Sequence, residues 1–119
     1  MKEIIFIQTG TGIDVHGQNV TKASVRAVEN AIHSNSMPGI QQALPDESLD
    51  NMKTHVKLAI PCDHDELNHK KIKEAVPYGD VDIKLVDGGM RTTSGVVLNE
   101  EDDHNDQMYI VNASIEVGY

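Results

Sequence analysis

Thr9-Gly10-Thr11-Gly12-Ile13-Asp14-Val15-His16-Gly17-Gln18-Asn19 stands between an apolar run, Ile4-Ile5-Phe6-Ile7, and a helical pattern that starts at Val20. The glycines at 10, 12 and 17 free the backbone for positive φ and for close approach by another group. Read as extended backbone, the segment projects Asp14 and His16 from the same face, and an Asp-x-His pair supplies two ligands to a divalent metal. Without a metal, the same two side chains make a general-base pair. The plain alternative is a strand-to-helix turn in which Asp14 makes local hydrogen bonds and His16 faces solvent. The spacing is not a dinucleotide fingerprint, because Val15 stands where the third glycine should fall. Nor is it a P-loop, because no Gly-Lys-Ser/Thr follows.

Working outward, residues 3–8 read as a strand buried on both faces, since four apolar residues run together. Downstream, Val20, Ala23, Ala27, Val28, Ala31 and Ile32 recur at helical spacing and predict a helix over 20–34, with Asn19 as its N-cap. Lys22, Arg26, Glu29 and His33 fall on a second, solvated stripe. Lys22 lies in the first turn, beside the glycine segment, where the helix N-terminus favours an anion.

Ser34 to Gly39 is a breaker cluster, and residues 39–53 read equally as a core edge, a subunit contact or a lid. Val56, Leu58 and Ile60 alternate along a strand over 54–60. Asp63-x-x-Glu66 resembles a capping box for a short helix ending near Val76, and it crowds His64, Asp65 and His69 into one polar turn. A third strand spans 80–87. Gly88-Gly89-Met90-Arg91 then combines free backbone N–H groups with a guanidinium, a set that suits a carboxylate or phosphate and equally a hairpin turn with a surface arginine. Val96-Val97-Leu98 reads as a short strand, Asn99 to Asp106 as a solvated acidic connection, and 108–117 as the clearest strand of the chain.

A chain of 119 residues suggests a single domain, 1–119, with a small core. Aromatics are only 3% of the residues, so that core is aliphatic. Nineteen acidic against ten basic residues give a formal net charge of −9, which argues against nucleic acid or an anionic membrane as partner. The lone Cys62 allows no internal disulfide and suits a reducing cytoplasm. No apolar run approaches membrane-spanning length, and no signal-peptide pattern opens the chain.

Two resemblances rest on the first segment. Gly10-x-Gly12-x-Asp14-x-His16-Gly17, with Thr21-Lys22-Ala23 and Gly88-Gly89-Met90-Arg91, resembles a small uncharacterised family of bacteria and plants, over the whole chain. The same motif is locally similar to the zinc-binding start of methylerythritol cyclodiphosphate synthase, where the Asp and His are two of three protein ligands. That similarity implies Asp14 and His16 as ligands to a divalent metal, zinc or manganese. The synthase's third ligand is a histidine early in the next helix. Here His33 follows Lys22 by 11 residues, roughly 16 Å along a helix. A third ligand would have to come from His55, His64, His69, Asp87 or another subunit.

The order of elements predicts an α+β two-layer sandwich, a mixed β-sheet with two helices on one face. The second face then requires cover, which suggests a homo-oligomer. Analogy with chorismate-mutase-like folds makes it a trimer with sites between subunits. The functional expectation is a small-molecule enzyme using Asp14 and His16, with Gly10, Gly12, Gly17, Lys22, Gly88, Gly89 and Arg91 holding an anionic substrate. The competing expectation is an oligomer that binds a small anion without turning it over.

Overall fold

The computed structural model describes all 119 residues. Strands β1 (Ile4–Asp14), β2 (Lys53–Ile60), β3 (Asp80–Asp87), β4 (Met90–Thr93) and β5 (Gln107–Gly118) form one mixed sheet. The order is β1-β5-β2-β3, and β4 pairs with the start of β5. Only β2 and β3 run parallel; β5 is antiparallel to β1, β2 and β4. Helices α1 (Val20–His33) and α3 (His69–Ala75) lie together on one face, with the short α2 (Ile40–Ala43) in the connection to β2. This is the predicted α+β arrangement. No helix is long and apolar enough to cross a membrane.

The alternation along β5 does what its period dictates. Tyr109, Val111, Ala113, Ile115 and Val117 are buried beneath the helices, and Asn112 is exposed on the other face. Val56, Leu58 and Ile60 of β2 join them, as do Val20, Ala23, Ala27, Val28 and Ala31 of α1. Leu44 and Met52 bring the 39–53 segment to the edge of this core.

Four expectations are corrected. The first strand does not stop near Thr9: it runs through the glycines to Asp14. It is not buried on both faces either, because it is an edge strand and Ile7 is 57% exposed on the uncovered side. The α-helix after β2 starts at His69 under an Asn68 cap; Asp63, left-handed (φ 54°), precedes only a single 3-10 turn, His64–Glu66, and its side chain makes no capping bond. The strand after β3 is Met90–Thr93, hydrogen-bonded to β5, whereas 96–98 lies outside any strand.

Gly10 and Gly12 serve packing. A Cβ on Gly10 would overlap backbone atoms of Ala27 and Ala31, and one on Gly12 would overlap backbone atoms of Ala23 and Ala27. Strand and helix therefore touch main chain to main chain, with alanines on the helix side. The same closeness lets α1 reach past the outer edge of β1. Asn30 Oδ1 accepts the Thr11 N–H at 3.0 Å, and Arg26 Nη1 donates to the Ile13 carbonyl at 2.6 Å. These bonds occupy backbone groups that an edge strand otherwise offers to a foreign strand.

Candidate functional site

β1 ends at Asp14 and α1 begins at Val20, so the chain must reverse within five residues. Gly17 (φ 101°) and Gln18 (φ 49°) make the reversal in left-handed conformations. Asp14 is buried and holds the turn from inside: its Oδ2 accepts the Asn19 N–H at 2.9 Å, and Arg26 Nη1 lies 3.6 Å from its Oδ1. Asn19 then caps α1, its side chain accepting the Lys22 N–H at 3.0 Å.

His16 turns to another partner. Its Nδ1 lies 2.7 Å from Oδ2 of Asp103, a residue of the acidic connection before β5. The side chain of Asp103 is only 1% exposed and has four protein donors. Gly17 N–H donates at 2.7 Å and Gln18 Nε2 at 3.0 Å to Oδ1, while Leu98 N–H donates at 2.9 Å to Oδ2 beside His16. Burial works against its charge, but the N–H groups of Leu98 and Gly17, with His16 and Gln18, outweigh burial and hold the carboxyl well below the usual carboxylate range. Asp103 is thus an acceptor, which places a proton on His16 Nδ1 and turns Nε2 away from this contact. The general-base pair expected from sequence changes partner: His16 pairs with Asp103, not with Asp14. Gln18 completes the tie, its amide donating to the Gln107 carbonyl at 2.7 Å and accepting the His104 N–H at 2.8 Å.

Beside this turn opens a cleft of about 510 Å³ lined by one chain, including Gly17, Asn19, Thr21, Asp63, Lys71 and Tyr109. Ten of its twelve lining residues are not hydrophobic, so it suits a polar molecule rather than a lipid or an aromatic ligand. Thr21 joins the starts of α1 and α3 across it, its Oγ1 accepting the Asn68 N–H at 2.9 Å. Tyr109 OH points at Asp63 Oδ2, 3.4 Å away. Burial first, then Cys62 and Asp63, push the Tyr109 hydroxyl far above its ordinary pKa, so it remains a donor. A second groove, of about 310 Å³, adjoins along Asn19, Thr21 and Lys71 and adds Lys22 and Arg26. Of five left-handed non-glycine residues, Gln18 and Asp63 line the cleft and Asp102 precedes Asp103, while Asp46 and Glu47 lie in the connection before β2. Such backbone strain collects at functional sites.

The sequence-predicted residues therefore divide. Gly17 and Lys22 stand at the cleft and its groove. His16 precedes the lining residue Gly17 in the turn but lines neither cavity itself, and Asp14 is buried and supports the turn through Asn19. Gly10 and Gly12 pack against the α1 backbone and lie outside the lining of both cavities. Gly88 and Gly89 form the β3–β4 connection; Gly89 (φ 65°) fits because a side chain there would strike the Ile110 carbonyl. Arg91 is exposed on β4 opposite Tyr109, outside the cleft lining. Asp103, Gln18, Asn68 and Lys71 were not singled out from sequence.

Zinc as implied by the synthase resemblance does not fit one subunit. Asp14 is engaged by Asn19 and Arg26, His16 Nδ1 by Asp103, and no three His, Cys, Asp or Glu side chains gather anywhere to hold a metal. His55 pairs with Asp82 at 3.3 Å, and His64 with Asp87 at 3.4 Å.

Among curated proteins nothing matches the chain. A crystal structure of an FtsZ-like protein of unknown function from Nostoc punctiforme is similar at 33% identity and a TM-score of 0.84, over 97% of this chain and 93% of that one. A family model described as a conserved hypothetical protein matches residues 4–117, nearly the full run from the first strand to the last. The chain belongs to this Lin0512 family of conserved hypothetical proteins.

Proposed function

We propose that the protein is a cytoplasmic small-molecule enzyme that binds a small anionic substrate in the polar cleft and moves a proton with His16. The observation that carries this reading is the His16–Asp103 pair. A carboxylate saturated by four donors fixes the imidazole tautomer, leaves Nε2 free to accept a proton and stabilises the imidazolium that results. Lys22, Arg26 and Lys71 give the adjoining groove a positive charge against a single carboxylate, Glu29, whereas the cleft itself sets Lys71 beside Asp63 and Glu66, so the anionic group of the substrate belongs at the groove side. Asn19, Asn68 and Thr21 add polar groups that orient a hydroxylated body.

The test is a melting-temperature screen of inorganic phosphate and small phosphorylated or carboxylated metabolites, with hits followed for turnover by NMR. The expected result is a binder whose affinity falls at least tenfold, about 1.4 kcal/mol, in Lys71→Ala. His16→Ala is expected to abolish its conversion while affinity stays within about threefold. Turnover that survives in His16→Ala overturns the assignment. Binding without turnover in the wild-type protein favours the alternative, a non-catalytic anion-binding protein.

A further inference from the structure

The sheet face turned away from the helices is bare in the subunit, and its side chains form rows fixed by strand register. One row runs Ser114, Lys57, Lys84 across β5, β2 and β3; the next runs Glu116, His55, Asp82. Lys57 stands directly opposite Lys84, a like-charge pairing that costs stability in an isolated sheet. Acid groups fill the neighbouring row, and His55 lies 3.3 Å from Asp82.

We propose that this face is the interface of a two-fold homodimer. An axis in the plane of the face, running between the two charged rows, sets Lys84 of each subunit over Asp82 of the other, Lys57 over His55 and Ser114 over Glu116, so the oppositely charged contact is the Lys84–Asp82 pair, made twice. Face-to-face sheets lie about 10 Å apart, within reach of a lysine opposing an aspartate. A two-fold interface must be self-complementary, and adjacent rows of opposite sign meet that condition where a single-signed face would not. The face offers a footprint of roughly 600 Å² from its strand spacing and length. Specific interfaces use about 800 Å² per partner and rarely less than about 500 Å², so the face suffices for a dimer at the small end of that range. The charged rows place the contact away from the helices, so both polar clefts stay open.

Analytical ultracentrifugation of the full chain tests the proposal, with circular dichroism to verify folding of each variant. A dimer is expected at about 100 µM, and Lys84→Glu should raise its dissociation constant at least tenfold. Asp82→Lys should do the same, and the double variant Lys84→Glu with Asp82→Lys should restore dimerisation to within about threefold of wild type. A wild-type monomer at that concentration overturns the proposal, as does a trimer, a dimer indifferent to Lys84→Glu, or a double variant no better than either single one.

Discussion

Asp103 decides how the turn before α1 is held. Its folded-state pKa is depressed, so the stability it contributes is fully present above the ordinary carboxylate pKa, about 4, and drains away as pH falls below that value. Asp103→Asn keeps the shape, removes the charge, and turns an acceptor oxygen into a donor facing other donors. The variant is expected to melt several degrees lower at pH 7 and to lose less of its remaining stability than wild type between pH 5 and pH 3. Urea titrations at both pH values check this; equal losses in the two proteins would show that the carboxylate is not the group responsible. Nothing local in the sequence announces Asp103. It sits in Glu100-Glu101-Asp102-Asp103, where four acids look alike, and its partners His16 and Gly17 lie more than 80 positions away. Asp14 was legible as important, yet its role is to hold a turn through Asn19 and Arg26, which only the path of the backbone reveals.

Period was the readable signal at the scale of elements. Alternation marks β2 and β5, and the apolar stripe of α1 locates both helix start and core face, because those patterns are set by burial on one side. The Gly-x-Gly of β1 misleads because glycine answers two demands with one residue: conformational freedom in a turn, and absence of a side chain beneath a close-packed helix. Here the second demand rules at positions 10 and 12. Gly12→Ala would force α1 off the sheet, since the obstacles are the backbone atoms of Ala23 and Ala27. A loss of about 3 kcal/mol in urea unfolding is expected, the upper part of the range for an overfilled core. A loss under about 0.5 kcal/mol, typical of a neutral surface change, would mean that helix and strand are not in main-chain contact. Gly39→Ala makes the matched control, because a side chain there meets nothing within 4 Å.

The molecule as a whole is longer than its size requires. Its radius of gyration is 15.8 Å, against roughly 13.5 Å for an ordinary globular chain of this length. Extents of 53 × 25 × 21 Å describe a narrow slab, long in one direction and two layers thick. That shape exposes a large share of the sheet, which is why a self-complementary bare face matters more here than it would on a rounder protein. The cleft stands at one end of α1, where β1 hands over to the helix, and the connections that line it come from widely separated parts of the chain. Composition alone pointed to an aliphatic core and an acidic surface; it could not show that Asp14 and Asp103 are the two buried acids of nineteen.

The central position of β5 carries a consequence for how the protein comes into being. β1 has no sheet partner except a strand whose residues lie about a hundred positions later, as Thr11 and Asn112 do. While the ribosome is still working, the first strand waits with the hydrogen-bonding groups on its β5 side unclaimed, and so does β2 on one side. Late closure of such distant pairs slows folding and leaves the nascent chain open to aggregation. Protease digestion of stalled nascent chains is expected to cut near Ile7 until β5 has cleared the exit tunnel, and to spare that site afterwards.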